Sequence, residues 1–175
     1  MSTSPSQIYD ALSYSDLDFG EIKNENGDVV ELTTGRYSVF MESTDRRVRK
    51  DAYDNLYEEY IKYKNTMASV LSSSIKANIF TMNVRGFDSV RHMYMFANNI
   101  PESVYDSLIE SVKARKDLLH RYVSLRKKVL GVDDFYAYDM HVPLIPDVNL
   151  KVSYSQAPEI VTSALNILGE EYVSS

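Results

Sequence analysis

Residues 43–77 read STDRRVRKDAYDNLYEEYIKYKNTMASVLSSSIKA, and this stretch decides the fold class. Val48, Ala52, Leu56, Tyr60, Tyr63, Met67 and Val70 recur every three or four residues, the period of a helix with one apolar face. Ser43, Thr44 and Asp45 offer N-cap oxygens in front of it. Arg47 with Asp51, and Glu58 with Lys62, lie one turn apart on the opposite face and are spaced to pair. Unbroken to Ala77, the helix would be roughly 50 Å long at about 1.5 Å per residue, with Ser72, Ser73 and Ser74 as its weak point. Its opening is electrostatically costly. Arg46, Arg47, Arg49 and Lys50 crowd the positive end of the helix dipole, which calls for carboxylates, either one turn on at Asp51 and Asp54 or from another segment.

Working outward toward the N-terminus, residues 18–32 read as a β-hairpin turning at Asn26-Gly27, residues that tolerate positive φ. The polar start, 1–7, is expected to be frayed. Toward the C-terminus, Arg85-Gly86-Phe87-Asp88 is a loop and cap before a short helix ending near Ala97. Pro101 and Glu102 then open a helix with a stripe from Tyr105 through Leu108, Val112, Leu119 and Tyr122 to Val129 and Leu130. Lys127 and Lys128 occupy its last turn and Gly131 follows, as a helix end prefers. Residues 43–131 thus form a helical scaffold, and 132–154 an extended or loop segment. Within it Phe135 to Pro143 is aromatic-rich and reads as a short extended stretch or edge strand, to which a peptide could pair. A last helix over 155–172 starts near Ser155, tolerates Pro158 in its first turn, and ends at Gly169. Glu170-Glu171-Tyr172 looks like the start of a further element just before the chain stops at Ser175, the pattern expected of a truncated chain. The fold class is mainly α, with one small hairpin.

Composition narrows the function. The 175 residues carry a net charge of −6, a poor basis for binding nucleic acid or an anionic membrane surface. There is no cysteine, so disulfides and thiolate metal sites are excluded. No leader pattern or run of ~20 apolar residues is present, and a soluble, cytoplasmic protein is expected.

No residue set reads as a catalytic or metal site. His92, His120 and His141 are scattered, and none belongs to a His-Glu-x-x-His helix. His120, between Leu119 and Arg121, reads as a partly buried helix histidine, and His92 as a surface residue. Asp139 and His141 would share a face if their segment were a strand, and a carboxylate beside an imidazole is part of triad logic, but no nucleophile accompanies them and a structural role is favoured. Glu58-Glu59 and Glu170-Glu171 are adjacent and so do not share a helix face; solvated glutamates are the better reading. Tyrosine is abundant, at 14 residues. Tyr60, Tyr63, Tyr105 and Tyr122 read as core-edge residues, while Tyr136 and Tyr138 could line a groove.

Seven segments in order resemble oligoendopeptidase F, a bacterial zinc endopeptidase family related to thimet oligopeptidase. They are Glu31 to Tyr37, Asp45 to Tyr53, Asn98 to Tyr105, Leu119 to Tyr122, Arg126 to Gly131, Tyr138 to Leu144 and Leu168 to Tyr172. The resemblance runs from about Ile8 to Tyr172. Thr34 departs from it, standing where many members carry histidine, as does Pro158, at a helix start usually richer in glutamate. The resemblance implies a mainly helical, two-lobed channel fold that cleaves short peptides with zinc held by a His-Glu-x-x-His helix and a further glutamate. That helix lies beyond the last residue of this chain, so no catalytic or metal residue is carried over. The expected function is therefore one segment of a zinc metalloendopeptidase: scaffold and channel wall, inactive alone, with oligopeptides as substrates of the full-length enzyme. The alternative is a stand-alone helical peptide- or protein-binding module without catalysis.

Overall fold

The computed structural model describes residues 3–145, 152–169 and 172. The chain divides into two compact units, 1–144 and 145–175.

In the first unit residues 4–7 of the polar start are helical rather than frayed. Helix α1, Ser4–Ala11, begins with Pro5 in its first turn and runs into a π-helical turn, Leu12–Asp16. Strands β1, Glu21–Lys23, and β2, Val29–Glu31, pair antiparallel, with Ile22 opposite Val30. Their turn is built differently from a two-residue one. The Asn24 side-chain oxygen accepts the N–H groups of Asn26 and Asp28, and the positive φ, 88°, falls on Gly27 alone. Helix α2, Thr34–Met41, to which the sequence pattern gave no element, is capped by the Thr33 hydroxyl accepting the Arg36 N–H.

Helix α3, Arg46–Lys62, starts at the predicted cap, where the Asp45 carboxylate accepts the Arg47 N–H. The long helix breaks at Tyr63, φ −101° and ψ 11°, and α4, Lys64–Val84, runs through the serine triplet without interruption. Helix α5, Val90–Ala97, is capped by Ser89. The element expected from Pro101 to Gly131 is two helices, α6, Glu102–Lys113, and α7, Lys116–Leu130, separated at Ala114 and Arg115. Gly131 closes α7 with φ 65°, a conformation that costs an L residue about 1–2 kcal/mol. An added Cβ there meets nothing within 4 Å, so Gly131→Ala is expected to lower stability by ~1 kcal/mol through backbone strain alone, read as a shifted urea midpoint at unchanged slope.

The core sits where α2 and α3 cover the hairpin. Phe19, Ile22, Leu32, Phe40, Met41, Val48, Ala52, Leu56 and Tyr138 form one buried cluster. Polar ties fix the same interface: Arg47 donates to the carbonyls of Lys23 and Asn24, and the Asn55 amide donates to those of Phe19 and Glu21. Glu59 is buried, not solvated, and pairs with Lys62 at 2.6 Å in place of the expected Glu58.

The second unit carries helix α8, Ala157–Leu165, with Pro158 in its first turn, and a 3-10 turn, Asn166–Leu168, before Gly169. The expectations for Glu170 and Glu171, and for 146–151 of the extended segment, lie outside the described residues. No helix among those described is long and apolar enough to cross a membrane.

Candidate functional site

The segment expected to be extended is a 3-10 turn over Ala137–Asp139, so it offers no edge strand for a peptide to join. Tyr136 remains extended, at φ −115° and ψ 170°, and its N–H donates to the Asp139 carboxylate at 3.0 Å. The turn carries Tyr138 into the core and leaves Asp139 at 0% exposure.

There Asp139 meets the basic run that opens α3. Arg46 grips it with both arms of its fork, Nε donating to Oδ1 at 3.1 Å and Nη2 to Oδ2 at 2.9 Å. Arg49, itself 3% exposed, donates to Oδ1 at 2.8 Å. With the Tyr136 N–H, the carboxylate accepts four hydrogen bonds, the number its lone pairs can take. The carbonyls that would otherwise be stranded are also used. Arg49 donates to Tyr138, Ser43 and Thr44, and Arg46 to Asp134 at 2.6 Å. The Arg46 guanidinium lies 5.4 Å from the Tyr138 ring centroid and 5.7 Å from that of Tyr136, which stacks on Tyr138 at 16°. The third arginine, Arg126, brings in α7 by donating to the carbonyls of Asp139, 3.1 Å, and Val142, 2.6 Å, and to the Tyr122 hydroxyl. Its Nε is buried without a partner among the described residues.

Burial alone would raise the Asp139 pKa, but hydrogen bonds from Arg46, Arg49 and the Tyr136 N–H outweigh it and hold the carboxyl below the usual carboxylate range. The bond to Asp139 raises Arg46 in turn. A carboxylate that is saturated with donors, sealed from solvent and held ionised cannot take a proton from a substrate. The site is a clamp that ties α3, α7 and the 134–142 loop together.

The other predicted residues do not converge on it. His141 is exposed two residues beyond Asp139, and no hydrogen bond joins the two among the described residues. His120 is exposed on α7, not partly buried. His92 lies on α5 in a pocket of about 310 Å³ with Phe96, Ile100 and Glu102, its Nδ1 3.9 Å from Asp88. Tyr138 belongs to the core rather than to a groove, and Tyr105 and Tyr122 are exposed. No group of three or more His, Asp or Glu among the described residues could hold a metal; this donor set does not fit a zinc ion. What sequence reasoning missed is the clamp itself. Its signal was the misplaced basic run, for which a carboxylate from another segment was one of two expected partners.

Among the described residues the polar side chains that converge are those of this clamp, which pins a helical scaffold. Comparison with known proteins places the chain. Residues 39–168 match the model of Peptidase family M3, and the chain belongs to that family. It is 42% identical over 98% of its length to Oligopeptidase PepF of Bacillus subtilis (strain 168), of which it covers 26%. It is 38% identical over 97% of its length to an oligoendopeptidase F homolog of Lactococcus lactis subsp. lactis (strain IL1403), covering 28% of that protein. The crystal structure of oligoendopeptidase-F from Enterococcus faecium superposes on 99% of the chain with a TM-score of 0.82 at 39% identity, and the chain covers 32% of it. The chain therefore spans about a quarter to a third of the length of these relatives.

Proposed function

We propose that this chain supplies scaffold and channel wall to a zinc-dependent, oligoendopeptidase F-like enzyme that hydrolyses oligopeptides in the cytoplasm, and that it has no hydrolytic activity by itself. The observation that carries this reading is the disparity in coverage: near-complete similarity over this chain, set against 26% of the Bacillus subtilis peptidase. The chemistry of the described residues agrees with it. The one carboxylate–imidazole pair in the sequence pattern is split by the 3-10 turn, and Asp139 is committed to its arginines. In such an enzyme zinc would activate the attacking water, held by residues other than those of this chain. What these residues do is hold the wall in place through Asp139, Arg46, Arg49 and Arg126.

The test is direct. The purified chain, supplied with zinc, is expected to retain far less than one metal ion per molecule and to leave a quenched oligopeptide uncut. Chelator-sensitive cleavage by this polypeptide alone would overturn the reading.

A further inference from the structure

Away from the clamp, the first unit has a cavity of about 320 Å³ bounded by the π-helical turn, residues 17–19, the end of β2 and the start of α2. Ser13, Asp18, Glu31, Thr33 and Thr34 are among its lining residues, and none of those described is a Lys, Arg or His. Ser13 is the anomaly on this wall. It is 8% exposed, and its hydroxyl has no hydrogen-bond partner among the described residues. Other helical hydroxyls of the chain bond back one turn: Ser73 donates to the Ser69 carbonyl, Thr81 to that of Ala77 and Ser124 to that of His120. Ser13 makes no such bond. It lies where the helix widens and the Leu17 N–H donates to the Leu12 carbonyl, a π turn of the kind found at functional sites. A buried hydroxyl left unpaired is destabilising unless an occupant of the cavity pairs with it.

The charges of the wall say what that occupant is. One Asp18 oxygen accepts the Gly20 N–H at 2.8 Å, and the other has no partner among the described residues. Glu31 lies 3.7 Å from Arg36 with both side chains more than half exposed, a pair that water weakens. These carboxylates favour a cation. The start of α2 adds donors. Its Thr33 cap takes the Arg36 N–H, while the N–H groups of Thr34 and Gly35 have no partner among the described residues and sit at the positive end of the helix. A ligand that uses both sets carries an ammonium next to a carbonyl oxygen, which is the first residue of a peptide. A lysine side chain has the ammonium without the carbonyl. A metal ion would find only two carboxylates here.

We propose that this cavity binds the free N-terminus of a peptide. Asp18, Glu31 and the Ser13 hydroxyl accept hydrogen bonds from the ammonium, and the first N–H groups of α2 donate to the carbonyl that follows it, a form of terminal-amine capture. The proposal goes beyond the functional reading above and stands without it, because a chain that hydrolyses nothing can still hold the start of a peptide.

Amide NMR titration of the 175-residue chain tests it with trialanine amide, the same peptide N-acetylated, and N-acetyl-lysine amide. Trialanine amide is expected to bind saturably, with a Kd in roughly the millimolar range, and to move the amide signals of Asp18 to Gly20 and of Thr33 to Gly35. The acetylated peptide, which lacks the ammonium, should bind about tenfold more weakly or worse, and the lysine probe should also bind more weakly. Asp18→Asn, which keeps an acceptor for Gly20, should raise the Kd about tenfold. Ser13→Ala should raise it without lowering Tm, since the hydroxyl has no partner in the fold to lose. Absence of saturable binding would overturn the proposal, as would shifts scattered over other acidic surfaces of the chain. Equal binding of the acetylated peptide would overturn it by removing the ammonium from recognition, and equal binding of the lysine probe by removing the carbonyl. An unchanged Kd in Ser13→Ala, or a fall in its Tm, would overturn it by returning that hydroxyl to a structural role. Cleavage of a longer peptide by the chain alone would sink the functional reading and leave this site standing.

Discussion

Asp139→Ala is expected to destabilise the first unit by about 3–5 kcal/mol, the cost of removing one partner from a buried ion pair. The magnitude follows from what is left behind. Arg46 is 40% exposed along its side chain and can turn toward water, but Arg49 is 4% exposed and cannot. Its charge stays in the core with only carbonyls as acceptors. The Tyr136 N–H loses its acceptor as well. For a chain of this size the thermal midpoint should fall by on the order of 10 °C. Asp139→Asn, which keeps the shape and loses the charge, should fall between the two. The pH dependence has a fixed sign. The folded carboxyl titrates below its ordinary value, while in the unfolded chain it titrates near ~3.9. Between those two values the unfolded chain binds the extra proton, so the clamp's contribution is complete above the unfolded value and drains away as pH falls through the folded one. Denaturation followed from pH 6 downward should show the parent losing its advantage over Asp139→Asn as the medium becomes more acid than about pH 4. A gap between the two proteins that stays constant through that window would remove the buried carboxylate from the explanation.

The clamp also marks where the sequence stopped being readable. Helix caps at Asp45 and Gly131 and the apolar period of 48–60 were legible because each is set within a turn or two of chain. The partner of Arg46 lies 93 residues away, and no local pattern specifies such a pairing. The same limit explains the 3-10 turn. Aromatic residues over 135–143 are the local signature of a strand, yet among the described residues the sheet consists of β1 and β2 alone. The four donors around Asp139 instead satisfy a tight turn, so a tertiary contact overrides a local preference. The breaks at Tyr63 and at Ala114-Arg115 were missed for a related reason. The apolar period continues straight through Tyr63, and neither proline nor glycine marks either point.

Leu56→Ala and Leu71→Ala should separate by several kcal/mol, although both residues belong to apolar helical runs only 15 positions apart. Leu56 is 8% exposed within the cluster that joins α3 to the hairpin and α2. Cutting it back removes transferred apolar surface and leaves a cavity walled by neighbours that are themselves fixed, which costs about 2–5 kcal/mol. Leu71 is 63% exposed on α4, a helix of 21 residues that buries none of them. Removing its side chain takes away little packing and introduces a better helix former, so the change should stay within about 0.5 kcal/mol. The contrast follows from the break at Tyr63. Up to Tyr60 the stripe faces the core, where Tyr60 itself packs beside Phe19 at 5.6 Å between ring centroids. Past the break the chain carries similar side chains away from that core. Urea denaturation of both variants should therefore show a large drop in midpoint for Leu56→Ala and almost none for Leu71→Ala, at equal slope. Comparable losses at the two sites would mean that α4 is packed within this chain as tightly as α3, contrary to the exposure of its apolar face.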